Sequence, residues 1–108
     1  MIAPGDLDRR LVLEAPVEEP DGAGGVTRSY AEVATLWAAV TPVAAQGAVA
    51  GAAAGAIASY RIVIRAGREV TTRHRLREGA RLYRIVAVTE RAGRGPRFIE
   101  IRAEAWID

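Results

Sequence analysis

Residues 60–65 read YRIVIR, a stretch in which apolar and charged side chains nearly alternate. Side chains of a β-strand point by turns to its two faces, so this spacing places Tyr60, Ile62 and Ile64 on one face and both arginines on the other. The pattern is typical of a strand that has one face in a core and one in water. The stretch therefore predicts one strand of an antiparallel sheet.

Related patterns lie on both sides of this stretch. Residues 10–14 place Leu11 and Leu13 on one face and are expected to end before Pro16. The other predicted strands are Val26–Tyr30, Thr35–Thr41, Arg81–Thr89 and Phe98–Trp106, with exposed turns at 18–25 and 91–96. In the last strand Ile99, Ile101 and Ala103 are expected to point inward. Six or so short strands joined by glycine-rich turns predict a mainly β fold, either a small antiparallel barrel or a sandwich.

The middle of the chain, residues 43–58, is rich in alanine and glycine and carries no charge. Gly47, Gly51 and Gly55 recur every four residues, a spacing that lets helices approach closely. The stretch lacks the strongly apolar length, basic flank and aromatic belt of a membrane span, so no membrane segment is predicted. We expect one helix, or an ordered Ala/Gly loop, that packs against a close neighbour.

The composition limits the chemistry that the chain can perform. Its 108 residues predict a single domain over 1–108, and the absence of cysteine excludes disulfides and zinc-thiolate sites. His74 is the only histidine and lies among arginines, which is typical of a solvated surface residue. Neither serine shows a partner base, and no phosphate-binding loop is present. We therefore predict no catalytic residue, no metal site and no cofactor, and we do not expect an enzyme.

The charge distribution leaves a second class of function open. Residues 1–58 carry three arginines and seven acids, whereas residues 59–108 carry twelve arginines and six acids. Arginines neighbour Tyr60, Tyr83 and Phe98, an arrangement that small barrels use to bind single-stranded nucleic acid. The competing interpretation is that the tyrosines face the core. We favour the latter, because the net charge is only +2.

A set of landmarks runs through almost the whole chain in order. They are Gly5-Asp-Leu7, Arg10, Asp21-Gly22, Gly24-Gly25, Tyr30, Val33–Ala38, Val40, Pro42, Arg61–Arg65, Val70, Arg75-Leu76, Gly79, Leu82–Ile85 and Val88. The most telling part is Trp37-Ala-x-Val-x-Pro42 followed later by Tyr83-x-Ile85. This order resembles the head completion proteins, also called head-tail joining or stopper proteins, of tailed phages, prophages and gene transfer agents.

The resemblance implies a β-barrel subunit in a homo-oligomeric ring in the neck of a phage-like particle, closing the DNA-filled head and docking the tail. Its partners would be a portal-adaptor protein on the head side and a tail terminator or other tail protein on the other side. DNA would be passing cargo only, and no cofactor, catalysis or membrane would be involved. The protein would lie in the host cytoplasm during assembly and then in the neck. A tail-completion ring protein is the alternative among phage proteins.

Two groups of residues are candidate sites under this interpretation. Glu18, Glu19 and Asp21 form an acidic loop that we expect to line the lumen or face the tail, because DNA slides past negative charge without binding it. The glycines of the central stretch are expected at an interface, since a face of small residues allows close backbone approach.

The glycine spacing gives a first prediction. Gly51→Leu should leave a soluble, folded subunit but block assembly, because a bulky side chain at a tight contact costs about 1–3 kcal/mol through overpacking. Complementation of a deletion strain measures this, and we expect filled heads that leak DNA or never gain tails. Normal particle yield from this variant would mean that the stretch is a solvated loop.

Overall fold

The computed structural model describes residues 4–43, 57–91 and 97–106, and six strands account for most of them. After one turn of 3-10 helix at Pro4–Asp6, the strands are β1 (Arg9–Pro20), β2 (Val26–Pro42), β3 (Ile57–Arg65), β4 (Arg75–Glu78), β5 (Arg81–Arg91) and β6 (Phe98–Trp106). Every pairing is antiparallel, and the sheet closes in the order β1-β2-β3-β6-β5-β4. The predicted mainly β, antiparallel, closed architecture of six strands is confirmed.

The interior of the barrel includes residues that alternation placed inward on β1, β3 and β6. Ile62 faces Ile101 and Ile64 faces Ile99 across the β3–β6 ladder. The core contains Leu11, Leu13, Ala38, Ile62, Ile64, Val70, Leu76, Tyr83, Ile85, Ile99, Ile101, Ala103 and Ala105. The centre of β3 departs from simple alternation, because Val63 on its outer face is only 2% exposed. This strand is therefore buried on both faces at its middle.

The first hairpin is longer than the sequence predicted. β1 does not end before Pro16 but continues to Pro20, and the two short strands expected at 26–30 and 35–41 are one strand, β2. Prolines are compatible with β1 because a strand edge that has no ladder partner needs no N–H donors. The expected break in β2 is a β-bulge: Leu13 pairs with Ala34 and Glu14 with Glu32, which leaves Val33 without a partner.

The sequence also missed β4, which has only four residues. Its single buried side chain, Leu76, lies between two arginines, so the sequence pattern is that of an exposed basic segment and does not indicate a strand. β4 closes the barrel by pairing with β5 on one side and with Val12–Glu14 of β1 on the other. We call the β1–β4 contact the seam.

The central stretch falls mostly beyond what the structure describes. Residues 44–56, including Gly47, Gly51 and Gly55, lie outside the described residues, so their conformation stays a prediction. β3 begins at Ile57, so the last two residues of the expected insertion belong to a strand. Within the described ranges, no helix is long and apolar enough to cross a membrane.

The two faces of β6 give a prediction about stability. Ile101→Ala should destabilise the fold by about 2–5 kcal/mol, because it opens a cavity in the centre of the core. Arg102→Ala, on the outer face of the same strand, should change stability by less than about 0.5 kcal/mol. Urea denaturation of the two variants checks this, and equal losses would mean that the faces are assigned wrongly.

Candidate assembly surface

The hairpin of β1 and β2 extends past the barrel as a two-stranded ribbon. Pairing of β1 with β4 ends at Glu14, and pairing of β2 with β3 begins only at Ala38. Between these points, within the part of the chain that is described, the two strands pair only with each other. We call residues 15–34 the arm. All of its residues from Glu18 to Val33 are exposed.

The end of the arm is a turn held by one carboxylate. Oδ1 of Asp21 accepts hydrogen bonds from the backbone N–H groups of Ala23 (2.7 Å) and Gly25 (3.1 Å). These bonds stabilise the charged form and hold the pKa of Asp21 below its ordinary value. Gly22 and Gly24 have φ angles of 81° and 88°, which other residues rarely adopt.

Glu18, Glu19 and Asp21, the three acids predicted to line a lumen or face the tail, lie near one another on the arm. Glu18 and Glu19 belong to β1 and Asp21 to the turn. Glu18 accepts a hydrogen bond of 2.8 Å from Arg28 on β2, and Glu19 is exposed. Asp21 thus organises the turn, whereas the surroundings of all three in a particle stay a prediction.

At the base of the arm, Glu14 binds two arginines of β4. The Nε atoms of Arg75 and Arg77 donate to its two carboxylate oxygens at 2.6 and 3.1 Å, and Glu14 is only 7% exposed. Burial raises the pKa of Glu14, but the two arginines outweigh burial and hold the pKa below its ordinary value. The Arg75 guanidinium also lies 3.9 Å from the ring centre of Tyr30, a cation–π contact that ties the arm to the barrel.

A second ion pair crosses the seam at its other end. Glu78 of β4 accepts bonds of 2.7 and 2.5 Å from Arg9 of β1, and Arg9 together with the Tyr83 hydroxyl (3.2 Å) lowers the pKa of Glu78. Burial raises the pKa of Tyr83. Carboxylates of both strands thus bind across the three-residue ladder of the seam.

A groove of about 970 Å³ lies between the arm and the outer wall of β4, β5 and β6. Its described lining includes the apolar side chains of Pro16, Tyr30, Ile57, Leu82 and Val86 and the charged side chains of Glu18, Arg28, Arg73, Arg75, Arg84 and Glu104. Tyr30, Ile57, Leu82 and Val86 are large apolar side chains exposed to water. Exposed apolar side chains with a polar rim are typical of a surface that binds another protein.

Sequence reasoning missed two exposed valines, of which Val86 lines this groove, because a β-bulge moves a side chain between faces. Ile85 pairs with Ala103 and Ala87 with Arg102, so Val86 has no partner, as Val33 has none in β2. Val33 and Val86 are 46% and 44% exposed. An extra residue in a strand re-aims the side chain beside it, and simple alternation does not predict where that happens.

Tyr60, Tyr83 and His74, which were considered for nucleic-acid binding or catalysis, make contacts within the fold. Tyr83 is fully buried and meets the half-buried Tyr60 edge to face at 5.4 Å, so the interpretation that these tyrosines face the core is supported. His74 is half-buried and its Nδ1 accepts the backbone N–H of Thr71 at 3.0 Å, which corrects the expected solvated position. No group of side chains that could hold a metal ion occurs among the described residues.

The fold and its surface define a class: small closed antiparallel β-barrels with a projecting two-stranded arm. The phage head completion protein family matches residues 2–105, and the chain belongs to that family. It is also similar to a chain in the virion of a native gene transfer agent particle, with 34% identity, coverage of 93% of this chain and 94% of that chain, and a TM-score of 0.70.

A second solved structure shares the fold. The solution structure of protein SF1141 from Shigella flexneri 2a is 24% identical, with coverage of 96% of each chain and a TM-score of 0.73. At this identity the likeness concerns the fold alone. No curated protein matches the chain.

The buried carboxylate of the seam gives a pH-dependent prediction. Glu14→Gln should cost about 1–3 kcal/mol at neutral pH, because two arginines lose their charged acceptor. The pKa of Glu14 is lowered on folding, so its contribution is complete above the ordinary value of 4.5 and is lost as the pH falls through the folded value. The gap between wild type and variant should therefore shrink below pH 4.5.

Urea denaturation at several pH values between 7 and 3 measures this gap. The matched control is Glu18→Gln, which removes an exposed pair with Arg28 and should cost less than about 1 kcal/mol. A constant gap across this pH range would show that Glu14 does not stabilise the seam through its charge.

Proposed function

We propose that this head completion protein is a head-tail connector subunit that forms a homo-oligomeric ring in the neck of a phage-like particle. The ring closes the DNA-filled head and docks the tail, with a portal-adaptor protein on one side and a tail terminator or tail protein on the other. The likeness to a chain of a gene transfer agent virion supports a place in such a particle. In this proposal the protein performs no catalysis, needs no cofactor and passes from the host cytoplasm into the neck.

The observation that carries the proposal is the arm beside its groove. A two-stranded ribbon is marginally stable in water by itself, and this one is exposed from Glu18 to Val33. The barrel places Leu82 and Val86 opposite the base of the arm, where they line the same groove as Tyr30. A ring requires one surface of each subunit to bind a different surface of the next. The groove supplies an apolar surface for such a contact.

The acidic end of the arm fits the passage of DNA. Glu18, Glu19 and Asp21 are exposed in or next to the turn of the arm, where Glu18 pairs with Arg28 and Glu19 adds a negative charge. A duplex is repelled by carboxylates and so moves past them without binding. We propose that this end lines the channel or faces the tail, and that Gly47, Gly51 and Gly55 lie at a subunit interface.

The groove gives a test in the particle. Leu82→Glu places a charge on an apolar part of the groove at an exposed site, so the subunit should fold normally while assembly fails. Complementation of a deletion strain should then yield filled heads without tails. Thr41→Glu, on the outer face of β2 opposite Arg61, is a matched control that should assemble normally.

Localisation tests the proposal independently of any variant. Antibody against this chain, viewed by negative-stain electron microscopy, should label the neck of wild-type particles. A label elsewhere would overturn the neck assignment, and normal particle yield from Leu82→Glu would exclude the groove from the assembly contacts.

A further inference from the structure

Among the described residues, no strand lies beside the outer edge of β2 over much of its length. From Val26 to Trp37 the described part of the chain pairs β2 only with β1, and β3 joins the other edge at Ala38. Unpaired edges present backbone N–H and C=O groups that readily bind another strand. Most proteins protect such edges, so the way each edge of the arm is built indicates its use.

The direction of the backbone groups follows from the hydrogen bonding at the turn of the arm. In an antiparallel strand, every second residue turns both its N–H and its C=O toward one neighbour. Val12, Leu13 and Glu14 all pair with β4, so the direction is fixed by the turn of the arm: the N–H of Asp21 donates to the C=O of Gly25, which turns the odd-numbered residues of β1 toward β2. Pro16 and Pro20 belong to the even-numbered series. The groups of this series therefore point away from β2. The residues of β2 opposite this series form no backbone hydrogen bonds with it. Arg28, Tyr30 and Glu32 therefore point their backbone groups toward the free edge of β2.

The two edges of the arm are built differently. On the β1 edge, prolines at 16 and 20 remove two of the outward N–H donors, which blocks strand addition. On the β2 edge, residues 26–32 contain no proline and include the β-branched or aromatic Val26, Thr27 and Tyr30, and the bulge at Val33 ends this stretch. One edge of the arm is thus protected and the other is competent to pair.

We propose that the free edge of β2 binds the same edge of a second copy of this chain, antiparallel and about a two-fold axis at Tyr30. Charge selects the register. An axis at Arg28 or Glu32 would place like charges opposite each other, and an axis at Ser29 or Ala31 would leave both charges opposite uncharged residues. Only an axis at Tyr30 places each Arg28 opposite Glu32 of the second copy. The three outward residues of each strand then form about six backbone hydrogen bonds.

In this register the second arm and β3 use different parts of the β2 edge. Opposite Val26, the first residue of β2, lies Ala34 of the second copy, and the second barrel begins only at its Ala38. β3 of the second copy therefore occupies the part of its β2 edge that the first arm leaves open. The product is a flat four-stranded sheet with one barrel at each end.

This contact is separate from the ring contacts of the proposed function. It is isologous, with the same edge used by both copies, whereas a ring larger than a dimer needs heterologous contacts. We assign it to the free subunit, in which pairing shields the exposed edge before assembly. The inference does not depend on the neck assignment.

Sedimentation velocity across a range of concentrations tests the pairing in the full chain. Wild type should be in concentration-dependent equilibrium between monomer and dimer. Arg28→Glu and Glu32→Arg should each weaken the dimer by about tenfold or more, because two symmetric attractions become repulsions. The double variant should return the dissociation constant to within about threefold of wild type.

The double variant separates contact between copies from effects within one arm. Within one arm, the double variant places a glutamate at 28 beside Glu18 and an arginine at 32 beside Arg77. It therefore does not restore the Arg28–Glu18 pair (2.8 Å) or the Arg77–Glu32 pair (3.9 Å) of the wild type. Hydrogen exchange should show protection of the Arg28, Tyr30 and Glu32 amides that rises with protein concentration. A subunit that stays monomeric to about 1 mM overturns the inference. So does a double variant that is no better than the singles.

Discussion

Closure of the barrel depends on a seam of only three residue pairs, Val12–Glu14 against Arg75–Arg77. So short a ladder supplies few backbone hydrogen bonds, and β4 contributes only Leu76 to the core. The side chains compensate for this. Glu14 and Glu78 bind arginines across the seam, and the Glu78 carboxylate also satisfies the hydroxyl of the buried Tyr83. The remaining strands can form a closed sheet only if this contact holds.

The arm is a consequence of the same shortness. β1 has 12 residues and β2 has 17, but their outer neighbours β4 and β3 have 4 and 9. The excess length of the first hairpin has nothing beside it in the described structure, so it projects from the barrel. Arg75 joins the two features, because its guanidinium binds Glu14 in the seam and lies over Tyr30 on the arm. The position of the arm is therefore coupled to closure of the barrel.

Alternation along the strands made the core predictable but not the surface. Leu11, Ile62 and Ile101 were assigned inward from spacing alone, because a one-residue slip would expose the whole apolar set. β4 was not predicted because it has four residues and one apolar side chain, too few to show the alternation of apolar and polar residues that indicates a strand. The bulges at Val33 and Val86 depend on how two strands register against each other, and that information is not local. Val86 lines the groove, so this part of its surface could not be predicted from the sequence.

The prolines of β1 suggest the end of a strand in the sequence, but in the structure they lie within the strand and affect which of its edges can pair. In the sequence, Pro16 reads as the end of a strand, since proline removes a ladder donor. In the structure, Pro16 and Pro20 belong to the series of β1 residues whose backbone groups point away from β2, toward the free edge, where no donor is needed. They lengthen the arm at no cost in hydrogen bonds and, at the same positions, prevent a strand from adding to that edge. Since the opposite edge carries no proline, the two edges of the arm differ in their capacity to pair with a further strand: the β1 edge lacks two N–H donors, whereas the β2 edge keeps its donors.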